Sequence, residues 1–159
     1  MDHLLLGGWR HVAEDVRQLD ISLKALPDTC TCHDGAAHLI GTCPCCLSGQ
    51  RALDSGCSNC ESLLALLREE MDDLTDATLR FLPFVEVNTS GHELRRKIMQ
   101  VAAVFQRLET AADEFRRGCP SSHVAVLKAL AAELVVSVRE VDVKLRPLPP
   151  ETERALWLR

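Results

Sequence analysis

Residues 30 to 60 read CTCHDGAAHLIGTCPCCLSGQRALDSGCSNC and hold seven of the eight cysteines, Cys30, Cys32, Cys43, Cys45, Cys46, Cys57 and Cys60, with His33 and His38 among them. That density of thiols and imidazoles is metal-ligand chemistry. Zinc takes four ligands in a tetrahedron, and two cysteines a few residues apart supply two of them from one tight turn. Three such pairs are present: Cys30 with Cys32, Cys43 with Cys45 or the adjacent Cys46, and Cys57 with Cys60. The last pair falls at the expected start of a helix, where backbone amides lower a thiol's pKa and favour the thiolate.

The donors exceed what one ion needs, and two partitions fit the spacing equally well. In one, Cys43, Cys45, Cys57 and Cys60 hold one zinc while Cys30, Cys32, His38 and Cys46 hold another. In the other, Cys30 and Cys32 join Cys57 and Cys60. His33 can replace His38 in either. Zinc, as one or two ions, is favoured over a disulfide framework and over an iron–sulfur cluster, which four thiolates would also suit. The segment is too polar and glycine-containing for its cysteines to be ordinary core residues.

A structural zinc is favoured over a catalytic one, because a catalytic ion keeps an open position and needs a nearby acid or base. The deaminase pattern H-x-E…P-C-x-x-C is absent, since Cys43-Pro44-Cys45-Cys46 has no upstream His-x-Glu. No Glu is followed three residues later by His, as a di-iron bundle requires, and His92-Glu93 lacks the second histidine of H-E-x-x-H. His11 and His123 read as boundary residues and Cys119 as a loop thiol. No catalytic residue is assigned.

The elements that must position this segment are helical. Leu5, Trp9, Val12, Val16, Leu19, Leu23 and Leu26 recur at alternating intervals of three and four, a single helix face over residues 4 to 26. Gly7 and Gly8 delay its start, and Pro27 ends it. A second helix, residues 61 to 82, carries Leu64, Leu67, Met71, Leu74, Thr78 and Phe81; Ser58 or Asn59 caps it and Pro83 stops it. PFVEVNTSG then forms an extended link. Ser90 and Glu93 make an S-x-x-E capping box for a third helix, with the stripe Leu94, Ile98, Val101, Phe105, Leu108, Ala112 and Phe115. Gly118 caps its C-terminus. Ser121 or Ser122 caps a fourth, striped by Val124, Leu127, Ala131, Leu134, Val138, Val141 and Leu145. The valines from 135 to 143 raise a strand alternative that the sustained heptad outweighs.

Four helices with mostly short connections predict an all-α, antiparallel up-down four-helix bundle, with the Cys/His-rich metal-binding loop inserted between helices 1 and 2. Residues 1–146 form the bundle domain, residues 27–60 its inserted zinc knob, and residues 147–159 a Pro-rich tail. In the tail, Pro147 to Pro150 is a stiff spacer ahead of Leu156, Trp157 and Leu158. That apolar triplet either folds back onto the bundle or docks a partner protein.

The formal charge of −5 argues against broad affinity for nucleic acid or anionic membrane, and Arg51 is the only Lys or Arg within residues 30 to 60. No apolar run approaches the ~18 residues of a membrane span. MDHLLLGGWR is no signal peptide, so a cytoplasmic chain with reduced thiols is expected. The functional expectation is a zinc-binding, adaptor-type interaction or regulatory protein, not an enzyme. The alternatives are a metal-handling or thiol-redox-sensing protein and, third, an enzyme with open zinc or an iron–sulfur centre.

Overall fold

The computed structural model describes residues 2–31, 35–42, 58–88 and 92–144. Four helices carry the fold: α1 (Asp2–Ala25), α2 (Ser58–Asn88), α3 (His92–Arg116) and α4 (Val124–Lys144). Between α1 and α2 lie two short strands, β1 (Thr29–Cys30) and β2 (His38–Leu39), paired antiparallel.

Contacts between helices show that each neighbour pair runs antiparallel. The Trp9 and Phe81 rings meet at 5.6 Å while Ser22 reaches Glu70, so α1 and α2 are opposed. Glu93 pairs with Lys144, Lys97 with Glu140 and Arg107 with Glu133, which opposes α3 and α4. The Trp9 indole N–H donates to Asp142 at 2.7 Å, while Lys128 donates to the Leu26 carbonyl, which opposes α1 and α4. Arg116 donates to the Leu67 carbonyl at 3.3 Å and ties the C-terminal end of α3 to the first half of α2. The four-helix bundle is therefore up-down-up-down. The C-termini of α1 and α3 share one end with the N-termini of α2 and α4.

The core is aliphatic, as the sequence requires. Val12, Val16, Leu19 and Leu23 on α1 meet Leu67, Leu74, Ile98, Leu108, Leu127, Leu134 and Val141, all buried. Asp142 satisfies the indole of Trp9 with one oxygen and the Arg17 guanidinium with the other, so this large ring enters the core without an orphaned donor.

Several boundaries differ from expectation. Helix α1 starts at Asp2, ahead of Gly7 and Gly8. A Cβ on Gly8 would lie 3.1 Å from the Phe81 ring, so the absent side chain lets α1 approach α2 closely. Helix α2 does not stop at Pro83 but continues to Asn88, and PFVEV is helical rather than extended. Proline removes one amide donor, a loss tolerated just beyond the anchor of buried Leu74, Ala77 and Phe81. Its core face begins with Cys60 and Leu63, both fully buried, whereas Leu64 is half-buried. Cysteine at position 60 continues the apolar heptad, which widens the stripe by one row. Ser58 and Asn59 lie inside the first turn instead of capping it.

Helix α3 ends as read. Gly118 has φ +86°, its N–H donates to the Phe115 carbonyl, and the Cys119 N–H donates to that of Glu114. That is the paired bonding of a Schellman cap. The capping box falls on Ser90, outside the described residues; Glu93 pairs with Lys144 at 2.9 Å. Neither Ser121 nor Ser122 caps α4. The His123 carbonyl accepts from the amides of Val126 and Leu127, while the Ser122 hydroxyl donates to Glu114.

The hairpin is seated on the bundle. Ile40, immediately after β2, is fully buried, and its carbonyl accepts from the Val124 amide at 2.9 Å. Gly41 has φ +102°, and a Cβ there would meet the Phe115 ring at 3.0 Å and His123 Cα at 3.1 Å. Gly41→Ala combines a left-handed backbone with a steric clash, and we expect a loss of about 1–3 kcal/mol in urea unfolding. Unchanged stability would mean that the hairpin is not held against the α3–α4 turn.

Candidate metal centre

The described part of the Cys/His segment builds a two-stranded ribbon. Its register places Cys30 directly opposite His38. Cross-strand partners project their side chains to the same face of a ribbon, with Cβ atoms about 4.5–5.5 Å apart. A thiol and an imidazole eight residues apart therefore stand side by side. Cys30 is buried at 4% exposure, and His38 is half-buried.

The ribbon is held from three sides. The Ile40 amide donates to the Asp28 carbonyl, and the Thr42 amide and hydroxyl both donate to the Leu39 carbonyl. Lys128 of α4 reaches the Leu26 carbonyl and the Asp28 carboxylate at 2.6 Å, clamping the chain as it leaves α1. Cys60 is buried at the start of α2, at the same end of the bundle, and belongs to a disulfide.

Of the expected ligands, Cys30, His38 and Cys60 are described. Cys32, His33, Cys43, Cys45, Cys46 and Cys57 lie outside the described residues, as do Leu156, Trp157 and Leu158. Among the described residues no three His, Cys, Asp or Glu side chains form a metal-binding group. The structure brings Cys30 and His38 together, and it places Cys60 in the core at the start of α2.

Two further residues lie at this end, His123 and Cys119, a boundary residue and a loop thiol as their positions in the sequence lead one to expect. The half-buried imidazole of His123 keeps Nδ1 buried and without a hydrogen-bond partner. Gly41 passes close to the His123 backbone, where a Cβ would lie 3.1 Å from His123 Cα, a proximity that no spacing in the sequence signals. Cys119 is a half-buried free thiol in the α3–α4 turn, which joins the same end through the bundle topology.

A separate polar cluster lies between α1 and α2. Burial raises the pKa of Asp15, with Asp73 and Glu14 adding to the shift and His11 opposing it. Burial also raises that of Glu70, where the hydrogen bond donated by Ser22 opposes the shift and Glu69, Asp73 and Asp15 reinforce it. Asp15 Oδ2 and Glu70 Oε2 are buried and accept no hydrogen bond, so burial disfavours the charged form of each without compensation at that oxygen.

No protein-family model, curated protein or solved structure matches this chain. Among the described residues no helix is long and apolar enough to cross a membrane.

The carboxyl cluster fixes a pH dependence. A carboxyl whose folded pKa lies above its unfolded value binds its proton more tightly in the folded state. Stability therefore rises as pH falls through the elevated values of Asp15 and Glu70, and the gain is complete below the ordinary 3.8 and 4.5. Thermal midpoints measured downward from pH 7 should show this rise. Asp15→Asn with Glu70→Gln should raise the midpoint at pH 7 and flatten the rise, leaving the part from Glu109, whose pKa burial also raises. A double variant with the slope of the native chain would contradict the assignment.

Proposed function

We propose that this chain is a zinc-binding helical interaction module, adaptor-like and non-enzymatic, whose metal fixes a surface at one end of the bundle. The observation that carries the reading is the register of the ribbon, which sets Cys30 opposite His38. The ligands are drawn from Cys30, His38 and Cys60 together with Cys32, His33, Cys43, Cys45, Cys46 and Cys57, enough for one or two ions. Burial of Cys30 and Cys60 in the apolar end of the bundle supports a closed, structural site over one open to substrate. The partner is a protein rather than nucleic acid, given the net charge of −5, and reduced cytoplasmic thiols suit the chemistry.

A second reading, metal handling or thiol-redox sensing, is favoured by the disulfide at Cys60. Two cysteines near enough to bridge when oxidised are also near enough to share a metal when reduced. Oxidation of two zinc-bound thiolates by a peroxide forms the disulfide, reduces the peroxide to water or hydroxide, and releases the ion.

One experiment separates the two readings. Protein purified in reductant without added metal should contain about one or two zinc ions per chain by elemental analysis, as the tetrahedral ligand count requires. Stoichiometric peroxide should leave that content unchanged if the metal is purely structural. It should release zinc, with loss of two titratable thiols per ion, if the site senses redox state. A reduced protein that holds no metal contradicts both.

A further inference from the structure

Helix α4 is apolar on more sides than the bundle core requires. Leu127, Leu134, Val138 and Val141 fill its core face, yet Ala125, Ala129, Ala132, Val136 and Val143 form a second stripe on the opposite side. Ala129 and Ala132 are exposed, and Val136 and Val143 are 53% and 59% exposed. Their spacing of four and three, with Arg139 in the one gap, makes a strip about 27 Å long. A helix that is apolar all round is ordinarily covered all round.

The two borders of the strip differ in charge. On the α1 side run Arg10, Arg17 and Lys24, exposed and seven residues apart, with exposed Arg139 beside them on α4. Antiparallel packing, fixed by Trp9 against Asp142 and by Leu26 against Lys128, keeps this row level with the strip along its length. The acids on that side are already engaged. Asp142 accepts from the Trp9 indole and pairs with Arg17, while Asp20, only 7% exposed, pairs with Lys24. Glu14 stands nearer Asp15 and the α1–α2 seam. On the α3 side the acids Glu93, Glu133 and Glu140 are each matched by a cation, Lys144, Arg107 and Lys97. The face is therefore net positive, in a chain whose formal charge is −5.

We propose that this face docks an acidic amphipathic helix of a partner protein, about five turns long. Its apolar side chains lie over the strip of α4, and its carboxylates line the edge formed by Arg10, Arg17, Lys24 and Arg139. Charge argues against a second copy as the occupant, because a two-fold pairing of this face brings two net positive surfaces together. Side-chain size argues against a membrane, since alanines offer little bulk to insert between lipids, whereas they let a partner helix approach closely. The inference rests on the reading of the chain as an interaction module and not on its metal.

The test presents the intact chain with labelled helical peptides of about 18 residues, read by fluorescence anisotropy. All share one leucine face, and they carry Glu, Gln or Lys along one edge. The Glu-edged peptide should bind saturably and about tenfold more tightly than the Lys-edged one, although the net charge of −5 favours the latter. Arg10→Glu with Arg139→Glu, at exposed positions that no ion pair among the described residues engages, should reverse that preference. Ala129→Gln with Ala132→Gln, a good helix former at exposed positions, should weaken the Glu-edged peptide about tenfold with helical circular dichroism and thermal midpoint retained. Failure of every peptide to bind, equal affinity for Glu and Lys edges, or binding indifferent to either double variant overturns the proposal. So does a dimer in sedimentation velocity that the Ala129→Gln, Ala132→Gln variant disperses, which marks a second copy as the occupant. Capture by phosphatidylserine vesicles that is lost in the same variant overturns it in favour of a membrane. Zinc content of the same preparations keeps the two readings apart: a metal-loaded chain that binds no peptide overturns the docking face and leaves the metal centre standing.

Discussion

A four-helix bundle buries its sides well and its ends poorly, because the last turns of its helices leave apolar side chains and unpaired backbone groups facing outward. At one end of this bundle the problem is met by chain that belongs to no helix. Ile40 inserts a fully buried side chain, and its carbonyl takes the first orphan amide of α4, that of Val124. Gly41 then passes against Phe115 and His123 with no room for a Cβ. Lys128 fastens the departing end of α1 from the opposite side. The Schellman cap of α3 and the buried start of α2 complete the same end.

That arrangement changes how the cysteine-rich segment relates to the fold. An insertion standing clear of the bundle would let the metal come and go without consequence for the helices. Here the segment enters through Cys30 and Ile40, and it leaves through Cys60, which occupies a core position of α2. Two of the residues proposed as ligands, Cys30 and Cys60, are therefore also core residues. A change in the state of those sulfurs, whether by metal or by disulfide, acts on the ends of α1, α2 and α4 together. This supports reading the centre as structural, and it gives redox chemistry at Cys60 a route to the bundle.

The sequence makes the helices legible because their heptads are long and their breakers few. The stripe of α3 is buried from Ile98 to Phe115, and that of α4 from Val124 to Val141. The departures have local causes. Pro83 does not stop α2, because one lost amide donor is small beside the burial that anchors the helix upstream of it. Cys60 is a core residue as well as a candidate ligand, so the buried stripe of α2 begins one row before Leu64. Ser122 fits a helix cap by type, yet its hydroxyl is spent on Glu114 and His123 takes the position. The ribbon itself is two residues per strand, too short for any periodicity to reveal. The pairing of Cys30 with His38 and the contact of Gly41 with His123 arise only when the chain is folded.

The central claim is that the hairpin is an integral cap of the bundle. Native-state hydrogen exchange at the Val124 amide tests it most directly, because that proton is held only by the Ile40 carbonyl. If the hairpin and the bundle open together, Val124 should exchange with the same free energy of opening as the core amides of α4, near Leu134 and Val138. A Val124 amide that exchanges in fast local openings, while Leu134 and Val138 remain protected to the level of global unfolding, would contradict the account and make the cysteine-rich segment a separable attachment.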